Sequence, residues 1–374
     1  MRQNRASVVR FLCGAERQIA LLSRAQPRNV GKLRAALTRD WANGLETVPQ
    51  LVFDRCPPLG VVRRGLELVW RFADQLGQDS GFIADRSEEL ATEAMLAESI
   101  GAPGVPSLAA CRFKVPAPSA SALETLARRW LGEARSMDGS LPSSETPVVR
   151  SDDESDPKSV ICTVRRYVGA ARLPVRVEVR PELLSLAAAR EDWIGVAAGR
   201  WVRPIDASRV ALHEIEAHVR PRLAARSVPD SVLTCGCAGA GEDEEGRALW
   251  IEQRHGLLDQ TRRGELGCRH LAGVLVRGGA HFVEAMRSLL EAGAEADQAV
   301  SALLRALRGG GLAREVVYLP AMERIGGALS TCPTLEHWFC RGRASLQYAL
   351  ARQARDAHAT FEHSSRGLEP AICG

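Results

Sequence analysis

The sequence predicts an α+β fold, predominantly helical, with a small sheet next to one helix that carries the chemistry. Three observations lead to that expectation. Apolar residues recur at helical spacing over long stretches towards both ends of the chain. Short apolar or alternating runs cluster between residues 160 and 198. Only 5% of the residues are aromatic, whereas the helix-favouring Ala, Leu, Arg and Glu abound. With 374 residues, 45% of them hydrophobic, the chain can build one large domain or two ordinary ones.

Taken in order, Leu33, Leu37 and Trp41, then Leu66, Val69, Trp70 and Leu76, then Leu90, Met95, Leu96 and Ile100 mark helices. Gly101-Ala102-Pro103-Gly104 breaks that run. Val115 to Ala122, rich in Pro, Ser and Ala, reads as a joining segment before a helix from Leu123 to Met137. Residues 138–158, dense in Ser, Pro, Asp and Glu, read as a solvated loop. Strand candidates follow at Val160–Tyr167, Val175–Val179 and Ile194–Ala198, with Val175-Arg176-Val177-Glu178-Val179-Arg180 alternating as a half-buried strand does. Asp206 or Ser208 offers a cap for the next helix. Phe282–Leu290 and Ala299–Leu307 are amphipathic helices, the second stopped by Gly309-Gly310-Gly311. The domains expected are a helical region at 1–113, a linker helix and acidic Ser/Pro loop at 114–158, and a catalytic core at 159–374.

The formal charge of +4 is small and the arginines are scattered, so nucleic acid is not an expected partner. No stretch approaches the ~20 apolar residues of a membrane span. Val8 to Leu22 is broken by Arg10, Glu16, Arg17 and Gln18, unlike a signal-peptide core, so a cytoplasmic protein is expected. Among ten cysteines, Cys235-Gly236-Cys237 with Cys268 offers thiolates, but no Cys-x-x-Cys pair occurs.

The most informative run is His213-Glu214-Ile215-Glu216-Ala217-His218. Two imidazoles and a carboxylate are the parts of a zinc hydrolase: two neutral nitrogen ligands and a base for the metal-activated water. An i,i+5 pair points about 140° apart on a regular α-helix. Both rings can meet one ion only where the helix widens, so the spacing predicts a π-type turn. The third ligand is expected from a later helix, with Glu244 and Glu245 as candidates.

His213-Glu214 through His218, followed by Glu244-Glu245-Gly246-Arg247-Ala248, resembles an H-E-x-x-x-H zinc metallopeptidase family. Its bacterial members are the flavohaemoglobin-expression-modulating proteins with a Q-E-G-L-A motif, and its animal members are the microtubule-associated tyrosine carboxypeptidases. Arg314-Glu315-Val316-Val317-Tyr318-Leu319 is similar to the family's D-x-x-Y-L segment. The resemblance implies a zincin-like core, one zinc ion on His213, His218 and Glu245, and Glu214 as general base. Arg247, Glu244 and Glu315 depart from the family pattern, and the Asn-Gly-x-x-Gln stretch expected soon after His218 is absent.

The expected function is therefore a zinc-dependent peptidase, a carboxypeptidase acting on a peptide or protein C-terminus. The alternatives are a precursor-peptide or small-amide hydrolase, and a regulatory protein that holds the metal without turnover. Tyr318, with His255 behind it, is the candidate oxyanion donor. Arg314, Arg247 and Arg222 are candidate clamps for the substrate carboxylate. Glu216 either orients a ligand ring or faces water.

Overall fold

Helical spacing in the first third of the chain becomes a layer of helices: α1 (Arg2–Ile19), α2 (Val30–Ala42), α3 (Gly60–Arg71), α4 (Ser80–Glu98), α5 (Val105–Arg112) and α6 (Ala117–Asp138). The structure is a computed structural model that describes residues 2–115, 117–138, 148–190, 192–228 and 231–366. Leu37, Trp41, Leu66, Leu90 and Leu96 are buried as their spacing requires, whereas Trp70 and Met95 face outward. Helix α6 starts at Ala117, so most of the expected joining segment is its first turns. Of the expected acidic loop, residues 139–147 lie outside the described residues.

The middle of the chain supplies β1 (Val149–Arg150), α7 (Val160–Ala170), β2 (Arg176–Arg180), β3 (Ala187–Ala189), β4 (Trp193–Ala197) and β5 (Trp201–Val202). Strands β2 and β3 flank β4, β2 running parallel to it and β3 antiparallel, while β1 and β5 form a separate antiparallel pair.

Val160–Tyr167 is helix, not strand. Its β-branched residues point to a strand, but Ser159 caps a helix by accepting from the Cys162 amide at 3.2 Å. Val160, Ile161, Val164 and Val168 are then buried along one face. Strand β2 is half-covered over most of its length instead of alternating, because Arg180 folds back onto Glu178 at 3.0 Å and lies over the Trp193 ring.

Next come α8 (Pro204–Leu212), a π-helical segment His213–Val219 and α9 (Arg220–Ala225). Pro204 occupies the first helical turn, where its missing amide costs nothing. Asp206 does not cap α8; its carboxylate accepts from Arg203 Nε at 2.8 Å. The remaining longer helices are α10 (Ala240–Arg254), α11 (Gln260–Arg277), α12 (Phe282–Glu291), α13 (Ala296–Ala306), α14 (Tyr318–Thr331) and α15 (Leu346–Arg366). The expected stop after α13 is real, with Gly309, Gly310 and Gly311 at φ of 65°, 96° and 119°.

One apolar cluster unites α1–α6 with α10–α15; a second joins the sheet, α7 and α8. The π-helical segment lies at the seam. Ile215 and Val219 enter the sheet-side cluster, whereas Ala217 packs on Ala248 and Ile251 of α10. Gly246 lets α10 approach α14 closely: a Cβ there would sit 2.5 Å from the Ala321 carbonyl carbon and oxygen. Among the described residues, no helix is long and apolar enough to cross a membrane.

Candidate metal centre

The expected π turn is present, and it brings the two imidazoles to 5.3 Å between ring centroids. Nε2 of His213 lies 3.5 Å from Glu245 Oε2, and Nε2 of His218 lies 3.9 Å from the same oxygen. His213, His218 and Glu245 form the one group among the described residues with three His, Cys, Asp or Glu donors close enough to share an ion. Two ligands of a tetrahedral zinc, each ~2.0–2.2 Å from the ion, stand roughly 3.3–3.6 Å apart. The His213–Glu245 separation matches that spacing and the His218–Glu245 separation of 3.9 Å is a little wider, so the group can hold a cation after a small inward movement. Cys235 and Cys237 form no such group; burial pushes the Cys235 thiol well above its ordinary value and Cys237 up to about 12.

The back of each ring is held by a carboxylate. His213 Nδ1 donates to Glu252 Oε1 at 2.7 Å, and His218 Nδ1 donates to Glu244 Oε2 at 3.3 Å. With Nδ1 as donor, each Nε2 keeps its lone pair for a cation. Glu244 and Glu245 thus have different surroundings: Glu245 reaches both Nε2 atoms, and Glu244 supports one ring from behind. Glu252, absent from the sequence reading, stands seven residues after Glu245 and so shares its face of α10. That spacing was the available signal.

Arginines hold these acids in turn. Glu252 accepts from Arg262 Nε at 3.0 Å. Glu244 accepts from Arg222 at 3.0 Å and Arg343 at 3.3 Å, and Arg343 also donates to Glu16 of α1 at 2.6 Å. Burial would raise the Glu244 and Glu252 carboxyls; Arg222 and His218 for the first, and Arg262 and His213 for the second, hold them far below the usual carboxylate range. Burial would lower the His213 imidazole, but Glu245 and Glu252 raise it to about 9, so without a cation its Nε2 carries a proton that a bound ion would displace.

Glu214 is buried, and among the described residues its carboxylate has no hydrogen-bond or ion-pair partner. Arg314 Nη1 lies 3.3 Å from Glu245 Oε1 and donates to the Tyr318 hydroxyl at 3.1 Å. Burial and Glu245 raise the Tyr318 phenol against the pull of Arg314, so it remains a donor. Arg222 spends its other donor on the Ala189 carbonyl, and Arg247 binds Glu336 and the Glu216 carbonyl. The Glu216 carboxylate pairs with Arg220 at 2.8 Å and touches neither ring. His255 Nδ1 is turned to the Ile251 carbonyl, and Glu315 is buried between Arg305 and Arg308.

Residues 80–348 match the family described as microtubule-associated tyrosine carboxypeptidase. The chain belongs to that family. The matched span takes in all of the microtubule-associated tyrosine carboxypeptidase motifs read from the sequence, from His213 to Tyr318. No curated protein and no solved structure gives a significant match.

Proposed function

We propose that the chain is a zinc-dependent carboxypeptidase that removes the last residue of a peptide or protein. The observation that carries this reading is the convergence of His213 Nε2, His218 Nε2 and Glu245 Oε2, next in sequence to a buried carboxylate at Glu214 that no other side chain among the described residues claims. The chemistry that a divalent cation supplies on those three ligands is Lewis acidity towards water and a carbonyl. Glu214 takes the proton of the attacking water and delivers it to the leaving amine. Tyr318, whose oxygen accepts from Arg314, donates a hydrogen bond to the oxyanion that develops on the scissile carbonyl.

Arg314 is the preferred clamp for the terminal carboxylate, since it is the one of the three candidate arginines beside both Glu245 and Tyr318. All three are already paired, Arg222 and Arg247 with Glu244, Glu336 and backbone carbonyls and Arg314 with Glu245, Tyr318 and the Gly241 carbonyl, so nearness to the candidate ligand is what favours Arg314. The family description names tyrosine as the residue removed, and a C-terminal tyrosine is the first substrate to try.

Peptides that differ only in their last residue, incubated with zinc-loaded protein and read by mass spectrometry, test the proposal. The expected result is loss of one C-terminal residue, stopped by a chelator and by Glu214→Gln, with zinc content unchanged in that variant. Internal cleavage, or turnover undiminished in Glu214→Gln, would contradict it.

A further inference from the structure

A helix that returns from i→i−5 to i→i−4 bonding leaves one carbonyl skipped by the ladder. Here the Arg220 amide donates to the Ile215 carbonyl, a π bond at the end of the segment. The next donor in that series, for the Glu216 carbonyl, is residue 221, a proline without an N–H. The helix therefore has no amide for Glu216 O at the point where the turn must hold His213 and His218 on one side.

A side chain fills the gap. Arg247 Nη1 donates to the Glu216 carbonyl oxygen at 2.8 Å. The rest of its guanidinium is fixed by Glu336 Oε1, at 3.0 Å from Nε and 2.5 Å from Nη2, with Cys340 Sγ at 3.5 Å. The side chain is 4% exposed, so an unpaired guanidinium has no solvent to turn to. Arg247 lies two residues after Glu245 on α10, which ties the widened turn to the helix that bears the third candidate ligand.

We propose that Arg247 is a positioning residue: it replaces the amide that Pro221 lacks, and so holds the π turn in the form that lets both imidazoles share one cation. This rests on the metal centre proposed above. A regular α-turn over the same residues would carry the two Nε2 atoms apart, and the ion would lose a ligand.

The test is a double-mutant cycle on the full chain, with Co²⁺ alone as probe. Wild type, Arg247→Met, Pro221→Ala and the double variant are titrated, reading affinity by chelator competition and ligand geometry by the cobalt visible spectrum. The expected result for Arg247→Met is a loss of affinity of about 10–100-fold, with a weaker, shifted tetrahedral spectrum. Pro221→Ala supplies an N–H that can extend the i→i−5 series by one residue, onto the Glu216 carbonyl, so the double variant is expected to regain most of the affinity. If Arg247→Met fails to fold, recovery of folding and cobalt binding in the double variant supports the same role. Wild-type affinity and spectrum in Arg247→Met, or no recovery in the double variant, would overturn it. Absence of cobalt binding in the wild type would instead sink the metal centre itself.

Discussion

Glu252 Oε1 accepts from Nδ1 of His213 at 2.7 Å, and the same carboxylate takes the Arg262 guanidinium on its other oxygen at 3.0 Å. Glu252 and Arg262 are both buried, so the acid stays ionised through its partners and not through water. The ring is thereby fixed in one tautomer and one orientation, with Nε2 aimed at Glu245.

Replacing Glu252 with Gln keeps the shape and removes the charge behind the ring. Zinc affinity is expected to fall about 10-fold or more, measured by competition with a chelating dye. Unchanged affinity would mean that the Glu252–His213 bond is incidental to the site.

Gly246→Ala tests the packing that sets Glu245 against Tyr318. Alanine is the better helix former by about 1 kcal/mol, yet its methyl would meet the Ala321 backbone at 2.5 Å. A net destabilisation of about 1–3 kcal/mol is expected from overpacking, read by denaturant unfolding. A stabilised variant would show that α10 and α14 can separate without cost.

His270 provides the pH dependence. Its ring is buried, neither nitrogen has a hydrogen-bond partner among the described residues, and burial lowers its pKa from 6.5 to about 4. Between those values the unfolded chain binds a proton that the folded chain refuses. Stability held at neutral pH is therefore lost as the pH falls from 6.5 towards 4, by up to about 3 kcal/mol. His270→Leu should flatten that part of the curve in urea unfolding at successive pH values. An equal loss in the variant would place the acid sensitivity elsewhere.

Tyr318→Phe removes one proposed donor to the oxyanion while leaving the metal ligands alone. A fall in kcat of about 10²–10³-fold is expected, with zinc content as in the wild type. Steady-state kinetics on the best peptide decides it, and an unaltered kcat would remove Tyr318 from the mechanism.

Much of this was legible in the residues. The i,i+5 spacing of His213 and His218 demanded a widened turn, because geometry alone forbids two rings 140° apart from facing one ion. Helical spacing placed α2, α3, α4, α6, α12 and α13, and Gly309-Gly310-Gly311 marked a true stop, but the long helices α1, α11, α14 and α15 were not read. The run from Val160 misled because its β-branched residues favour a strand, whereas Ser159 and a one-sided apolar face made it a helix. The arginine network around the site was not legible. Which carboxylate Arg222, Arg247 or Arg343 meets depends on helices far apart in sequence, as with Arg343 reaching both Glu16 and Glu244. Glu252 lies between these cases, since its seven-residue step from Glu245 was visible but its partner ring was not.

The most direct measurement is an anomalous difference map, at the zinc edge, from a crystal of the zinc-loaded protein. The account predicts one peak bonded to Nε2 of His213, Nε2 of His218 and a carboxylate oxygen of Glu245. A peak elsewhere, or one that leaves out either imidazole, would contradict it.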